Sequence, residues 1–196
     1  KQDMCVWIYD EFGYPSGFVG GTLLNEESNR AEYLEYEVRA DFDDTAFAVF
    51  VQKNGLYQRV EKATKTDCYH TIYTRRSPCN VDILNPDVVS LFIDKTYEAY
   101  YKRFADEFGK TIRGFFTDEP QYYRWDTPFP RLIAQEFKDR FNEDVMDGLV
   151  YLFIQDERGY AFREKYYQIC NHLYVNVFYK KLYDWCESHG CKLTGH

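Results

Sequence analysis

The chain of 196 residues is long enough to bury a sizeable core, and a makeup of 45% hydrophobic and 29% charged residues fits a folded protein. A formal net charge of −8 argues against a nucleic acid or an anionic membrane as partner. No stretch approaches ~18 uninterrupted apolar residues, so no membrane span is expected.

In chain order, the first informative phrase is Trp7-Ile8-Tyr9-Asp10-Glu11-Phe12-Gly13-Tyr14-Pro15-Ser16-Gly17. Cys5 to Tyr9 reads as a buried strand that runs into two carboxylates and is then stopped by Gly, Pro, Ser and Gly. The loop Gly17-Phe18-Val19-Gly20-Gly21 lacks the GxGxxG spacing and has no basic residue nearby to hold phosphate. It is expected to let the backbone pass close to a substrate or a neighbouring strand. From Glu35 to Leu84 the period changes to two, with Leu34, Tyr36 and Val38 alternating with Glu35, Glu37 and Arg39. Ala46 to Gln52, the turn signal Asn54-Gly55, Leu56 to Val60 and Tyr69 to Thr74 complete a predicted antiparallel sheet of three or four strands.

Helix and strand then alternate. Asn85-Pro86 is an N-cap followed by an N1 proline, and Val89, Phe92, Ile93, Thr96, Tyr100, Phe104 and Phe108 mark one predicted face, ended by Gly109. Ile112 to Phe116 reads as a strand that runs into Thr117-Asp118-Glu119-Pro120. Pro130 to Phe141 reads as a helix, and a long helix is expected from Glu157 to His189. Its predicted face is Phe162, Tyr166, Cys170, Leu173, Val177 and Trp185, with Gly190 as its cap. Cys191 to Thr194 is the last predicted strand, ending at Gly195-His196. Helix–strand alternation with polar groups at strand C-termini marks a parallel α/β fold, and in a (β/α)8 barrel those strand ends carry the active site.

The expected fold is therefore α/β: a partial (β/α)8 TIM-barrel segment with an inserted small antiparallel β-sheet. Three regions follow: 1–34, a barrel strand with a Gly-rich active-site loop; 35–84, the inserted antiparallel subdomain; and 85–196, βα units ending at a strand C-terminus. A full barrel needs ~250 residues, so the remaining barrel strands of a parent chain are expected partners.

At Trp7 to Glu11, Tyr14 to Gly17, Gly20-Gly21, Phe116 to Pro120, Trp185-Cys186-Glu187 and Leu193 to His196, the chain resembles the bacterial TIM-barrel glycoside hydrolases related to the α-L-rhamnosidases. The resemblance spans nearly the whole chain and is weakest in the antiparallel insert. It implies a (β/α)8 barrel, a carbohydrate substrate and catalysis by strand-end carboxylates. It requires no cofactor; calcium occurs in some members. In the related enzymes a glutamate is expected soon after the Thr-Gly-His phrase, beyond residue 196.

Glycoside hydrolysis needs one carboxylic acid to protonate the leaving oxygen and a second carboxylate across the sugar ring. Glu119 is the expected general acid, since apolar burial beside Phe115, Phe116 and Trp125 would favour its protonated form. Glu11 is the fallback second carboxylate. Asp10 and Glu11 should point to opposite faces of an extended strand, so only one easily faces substrate. Asp10, Tyr14, Asp118, Trp125 and His196 are the candidate substrate-binding residues, with Tyr9, Tyr122 and Tyr123 as further stacking walls. The plainer reading is that Asp10 and Glu11 hold the Tyr14-Pro15 loop and that Asp118-Glu119 caps the next segment.

Six cysteines, at 5, 68, 79, 170, 186 and 191, form no CxxC pair. Cys5 and Cys170 read as small buried hydrophobes of a reduced protein, which leans towards the cytoplasm. Cys186, His189, Cys191 and His196 lie close in sequence, but a helix cap between them aims the side chains apart, so no metal site is expected. Two competing functions stand beside the hydrolase: a non-catalytic carbohydrate-binding or structural portion of a barrel enzyme, and a divalent-metal hydrolase that no HExxH phrase supports.

Overall fold

The computed structural model describes residues 4–123 and 126–196. The elements in chain order are β1 (Val6–Tyr9), β2 (Arg30–Arg39), β3 (Ala48–Lys53), β4 (Leu56–Arg59), β5 (Tyr69–Val81), α1 (Pro86–Lys95), α2 (Tyr97–Phe104), β6 (Ile112–Thr117), β7 (Thr127–Pro128), α3 (Ile133–Phe141), α4 (Tyr160–Leu173), α5 (Lys180–Ser188) and β8 (Lys192–Gly195). The fold is mixed α/β, with one parallel three-stranded sheet and one five-stranded sheet whose strands pair antiparallel. Among the described residues no helix is long and apolar enough to cross a membrane. The chain divides into two compact units, 1–31 with 77–124 and 172–196, and 32–76 with 125–171.

In the first unit the strand order is β1-β6-β8, all parallel. Apolar β6 is central, and Phe115 is fully buried against the helices. Tyr97 stacks on Phe115 at 4.0 Å between ring centres, and Trp185 meets it edge-on at 5.7 Å. The opposite face of the sheet carries Trp7, Tyr9 and Phe116, with Trp7 paired to Gly114 and Tyr9 to Phe116. Trp7 and Tyr9 are 45% and 38% exposed, so β1 is a half-covered edge strand. The expected buried strand is thus corrected: Ile8 is its one buried residue and Cys5 is exposed.

The helix after Asn85 also departs from its predicted face. Asn85 caps α1 through its side chain, which accepts the Asp87 amide N–H at 3.0 Å. The helix breaks at Thr96 (φ −113°, ψ −72°), and the rotation it introduces turns Tyr97 inward. Val89, Phe92, Thr96 and Phe108 are buried as expected, but Tyr100 and Phe104 are exposed. Along the predicted long helix, α4, a π-helical stretch Tyr174–Tyr179 and α5 follow one another in sequence. Gly190 follows α5 with φ +68°, and the Cys191 amide closes the turn on the Cys186 carbonyl at 3.0 Å.

In the second unit the strand order is β4-β3-β5-β2-β7. Asn54 (φ 51°) and Gly55 (φ 79°) form the two-residue turn that sets Lys53 opposite Leu56. The fifth strand, β7, has only Thr127 and Pro128, paired with Leu34 and Tyr33, and lies far outside 35–84 in sequence. Phe137, Ile133 and Tyr166 are fully buried in this unit, and the Tyr166 hydroxyl donates to the Pro128 carbonyl at 2.5 Å.

Candidate functional site

The C-terminal ends of the three parallel strands bring Asp10, Asp118, Glu119 and His196 to one end of the sheet. Parallel pairing makes this unavoidable: β1, β6 and β8 all point the same way, and the ladder continues past them through Asp10 N–H to the Phe116 carbonyl (3.1 Å) and His196 N–H to the Thr117 carbonyl (3.2 Å). Gly195 lets β8 come this close. A Cβ there would lie 1.9 Å from the Thr117 carbonyl oxygen.

Asp118 is held from both flanking strands. The Tyr9 hydroxyl donates to Oδ2 at 2.9 Å, and His196 Nδ1 lies 3.1 Å from Oδ1. Partial burial, followed by the bond to Asp118, pushes the Tyr9 hydroxyl up to about 12, so it stays a donor at neutral pH. Glu119 is exposed and takes a left-handed backbone, φ 39°, which is costly for a residue with a side chain. Its Oε2 accepts the Tyr14 hydroxyl at 3.0 Å, and Gln121 Nε2 in turn donates to that hydroxyl. The expected apolar burial of Glu119 is corrected: Phe115 faces the helices, and the carboxylate faces solvent. Trp125 lies outside the described residues. The Tyr122 and Tyr123 rings meet edge-on at 5.2 Å, and Tyr123 is 61% exposed.

Asp10 and Glu11 point apart and do different work. Asp10 is 1% exposed; its Oδ1 accepts the Ser16 hydroxyl at 2.5 Å and its Oδ2 the Tyr97 hydroxyl at 2.7 Å. Burial raises it to about 6, while the Ser16, Tyr97 and, at longer range, Thr117 hydroxyls pull the other way. The Thr117 hydroxyl, itself buried, meets no partner within hydrogen-bond distance. Glu11 accepts four backbone amides: Phe12 (2.9 Å) and Gly20 (2.5 Å) on Oε1, and Phe18 (2.6 Å) and Val19 (2.8 Å) on Oε2. Three of those amides, Phe18 to Gly20, belong to the Gly-rich loop, where Val19 sits at φ 53°, a strained value for a β-branched residue. Glu11 is therefore a loop clamp. Both of its oxygens accept backbone amides, an arrangement suited to holding the loop.

Two clefts flank these groups. One of about 550 Å3 lies beside β1, with Tyr9, Asp10, Phe12, Lys95 and Tyr100 among its lining residues. The other, of about 330 Å3, lies beside β8 and is lined by Thr117, Tyr179, Thr194 and His196. Phe12 is 96% exposed at the rim of the first. Ser16, Tyr97 and Tyr179 belong to the site and were not singled out from the sequence.

Calcium takes ~6–8 oxygen ligands, but the oxygens of Asp10, Glu11 and Asp118 already meet O–H and N–H donors. Among the described residues no group of three or more His, Cys, Asp or Glu is placed to hold a metal ion. His189 stacks on Trp185 at 3.9 Å and His196 meets Asp118, so the Cys186–His196 group does not assemble. Comparison with protein families, with curated proteins and with solved structures finds no match.

Proposed function

We propose that the parallel unit is the catalytic portion of a (β/α)8-barrel glycoside hydrolase, with Glu119 as its general acid. The observation that carries this reading is Glu119 itself: an exposed carboxyl at the end of the central strand, in a left-handed backbone, steadied by Tyr14. Strain of this kind concentrates at functional sites. Asp118 beside it, held by Tyr9 and His196, is placed to bond sugar hydroxyls, and the half-exposed aromatic face of Trp7, Tyr9 and Phe116 is the face that further strands would close in a barrel. The resemblance of the same phrases to the α-L-rhamnosidase-related enzymes adds the substrate class.

In this chemistry Glu119 gives its proton to the leaving oxygen as the glycosidic bond breaks, and a second carboxylate acts from the other side of the ring. Glu11 accepts backbone amides on both oxygens. This one observation favours the other reading, a carbohydrate-binding surface without hydrolysis. Assay against aryl glycosides of graded leaving group, with and without chelator, separates the two. Glu119→Gln should lose ~10²–10⁴-fold on a poor leaving group and much less on an activated one. Sugar binding without turnover in the parent protein supports the second reading, and equal losses on both substrates remove Glu119 from the acid role.

A further inference from the structure

We propose that Asp10 and Ser16 act as a positioning pair that sets the Asp118–Glu119 turn, a role that rests on reading Glu119 as the general acid. Neither residue need touch substrate. Both are buried, at 1% and 0% exposure. The Ser16 hydroxyl donates to Asp10 Oδ1 (2.5 Å) and accepts the Asp118 amide N–H (2.8 Å), while the Ser16 amide donates to the Asp118 carbonyl (2.9 Å).

These three bonds form one device. A hydroxyl has a single proton, and the Asp10 carboxylate claims it through a charge-assisted bond. The Ser16 oxygen is thereby left as an acceptor facing Asp118 N–H. Tyr97, reaching across from α2 to Oδ2, fixes the carboxylate in turn. Ser16 then grips Asp118 by both its N–H and its carbonyl, one residue before Glu119 leaves the extended region for φ 39°. A left-handed glutamate persists only where its surroundings over-determine it, and this double grip holds the backbone on one side of it, as the Tyr174 hydroxyl on the Pro120 carbonyl does on the other. Besides Tyr97, the ionisable groups whose charges bear on Asp10 include Tyr9 and Glu11 on its own segment, and Tyr179 and Cys186 from the helix behind it.

Ser16→Ala and Asp10→Asn test the device. Backbone amide exchange, followed residue by residue by NMR, should speed up by about 10-fold or more at Asp118 in both variants while Phe115 and Phe116 keep their protection. On a glycoside with a poor leaving group, kcat should fall by about 10–100-fold with KM little changed, as expected for a displaced catalytic group. Asp10→Asn carries the test if Ser16→Ala does not fold. Unchanged exchange at Asp118 overturns the proposal, and so does faster exchange with unchanged kcat. A parent that cleaves no glycoside sinks the hydrolase reading instead, and the exchange result alone then decides whether the pair holds the turn.

Discussion

His196 Nδ1 lies 3.1 Å from Asp118 Oδ1, although 78 residues separate them in the chain. The pairing exists because β6 and β8 are parallel neighbours in register, Thr117 beside Gly195. Both side chains are therefore delivered to the same rim by the sheet itself. The His196 side chain is 65% exposed and that of Asp118 20%.

That exposure sets the expectation for His196→Ala. An ion pair or hydrogen bond this open contributes at most about 1 kcal/mol to stability, so the thermal midpoint should barely move. Turnover should fall by more than that change accounts for, because the Asp118 carboxylate loses one of the two side chains that hold it. A fall in midpoint that matches the loss of turnover would reduce His196 to a structural role.

Glu11→Gln separates the clamp from catalysis. The amide keeps one acceptor oxygen and turns an N–H₂ group towards backbone donors that need acceptors. Hydrogen bonds to a charged group contribute ~1.5–3 kcal/mol each, and unsatisfied buried donors cost ~1–3 kcal/mol. The variant should therefore lose about 2–4 kcal/mol in urea unfolding, with the Phe18–Gly20 amides exchanging fastest. Full stability with abolished hydrolysis would return Glu11 to the catalytic role.

Gly114 is where β6, β8 and Trp7 come closest. A Cβ there would sit 1.9 Å from the Lys192 carbonyl oxygen and 2.6 Å from Trp7. The first neighbour is backbone of a paired strand and cannot move away without opening the ladder. Gly114→Ala should cost at least about 3 kcal/mol or prevent folding, beyond ordinary overpacking. A variant with native stability would contradict the β6–β8 register.

The legible parts of this chain were those in which a local signal and the long-range partner agree. Phe115 and Phe116 running into Asp118-Glu119 announced a strand end, and Asn54-Gly55 announced its hairpin. For Glu11 the sequence left a loop-holding role open beside the catalytic one, because its partners are main-chain amides, which carry no residue signature. A hint was present in the glycines that follow it, since a loop turning so sharply brings N–H groups together. Ser16 gave no sign, being an ordinary loop serine until the fold sets it between Asp10 and Asp118. Tyr97 displaced Tyr100 and Phe104 from the core because α1 breaks at Thr96, and a strict helical period cannot foresee that rotation. The strand β7 is two residues long and contains a proline, so only its pairing with β2 defines it.

Asp10 should leave its mark on the pH dependence of stability. Its carboxyl is raised to about 6 in the folded protein from an ordinary value of 3.8. Between those two values the folded state binds a proton that the unfolded state has released, so stability falls as pH rises through the window and is level above it. At ~1.36 kcal/mol per unit, the ionised carboxylate costs about 3 kcal/mol at neutral pH relative to pH 4. Other acids act in the opposite sense. Asp43, lowered to about 2 chiefly by the Tyr73 hydroxyl, adds stability that is lost only as pH falls through that low range. The informative quantity is therefore the difference between the parent and Asp10→Asn, measured by urea unfolding at several pH values. The parent should lose about 3 kcal/mol against the variant between pH 4 and 7, with most of the change complete by pH 6. A difference that is flat with pH, or that grows in the parent's favour as pH rises, would mean that Asp10 is not the buried, reluctantly ionised carboxyl the site requires.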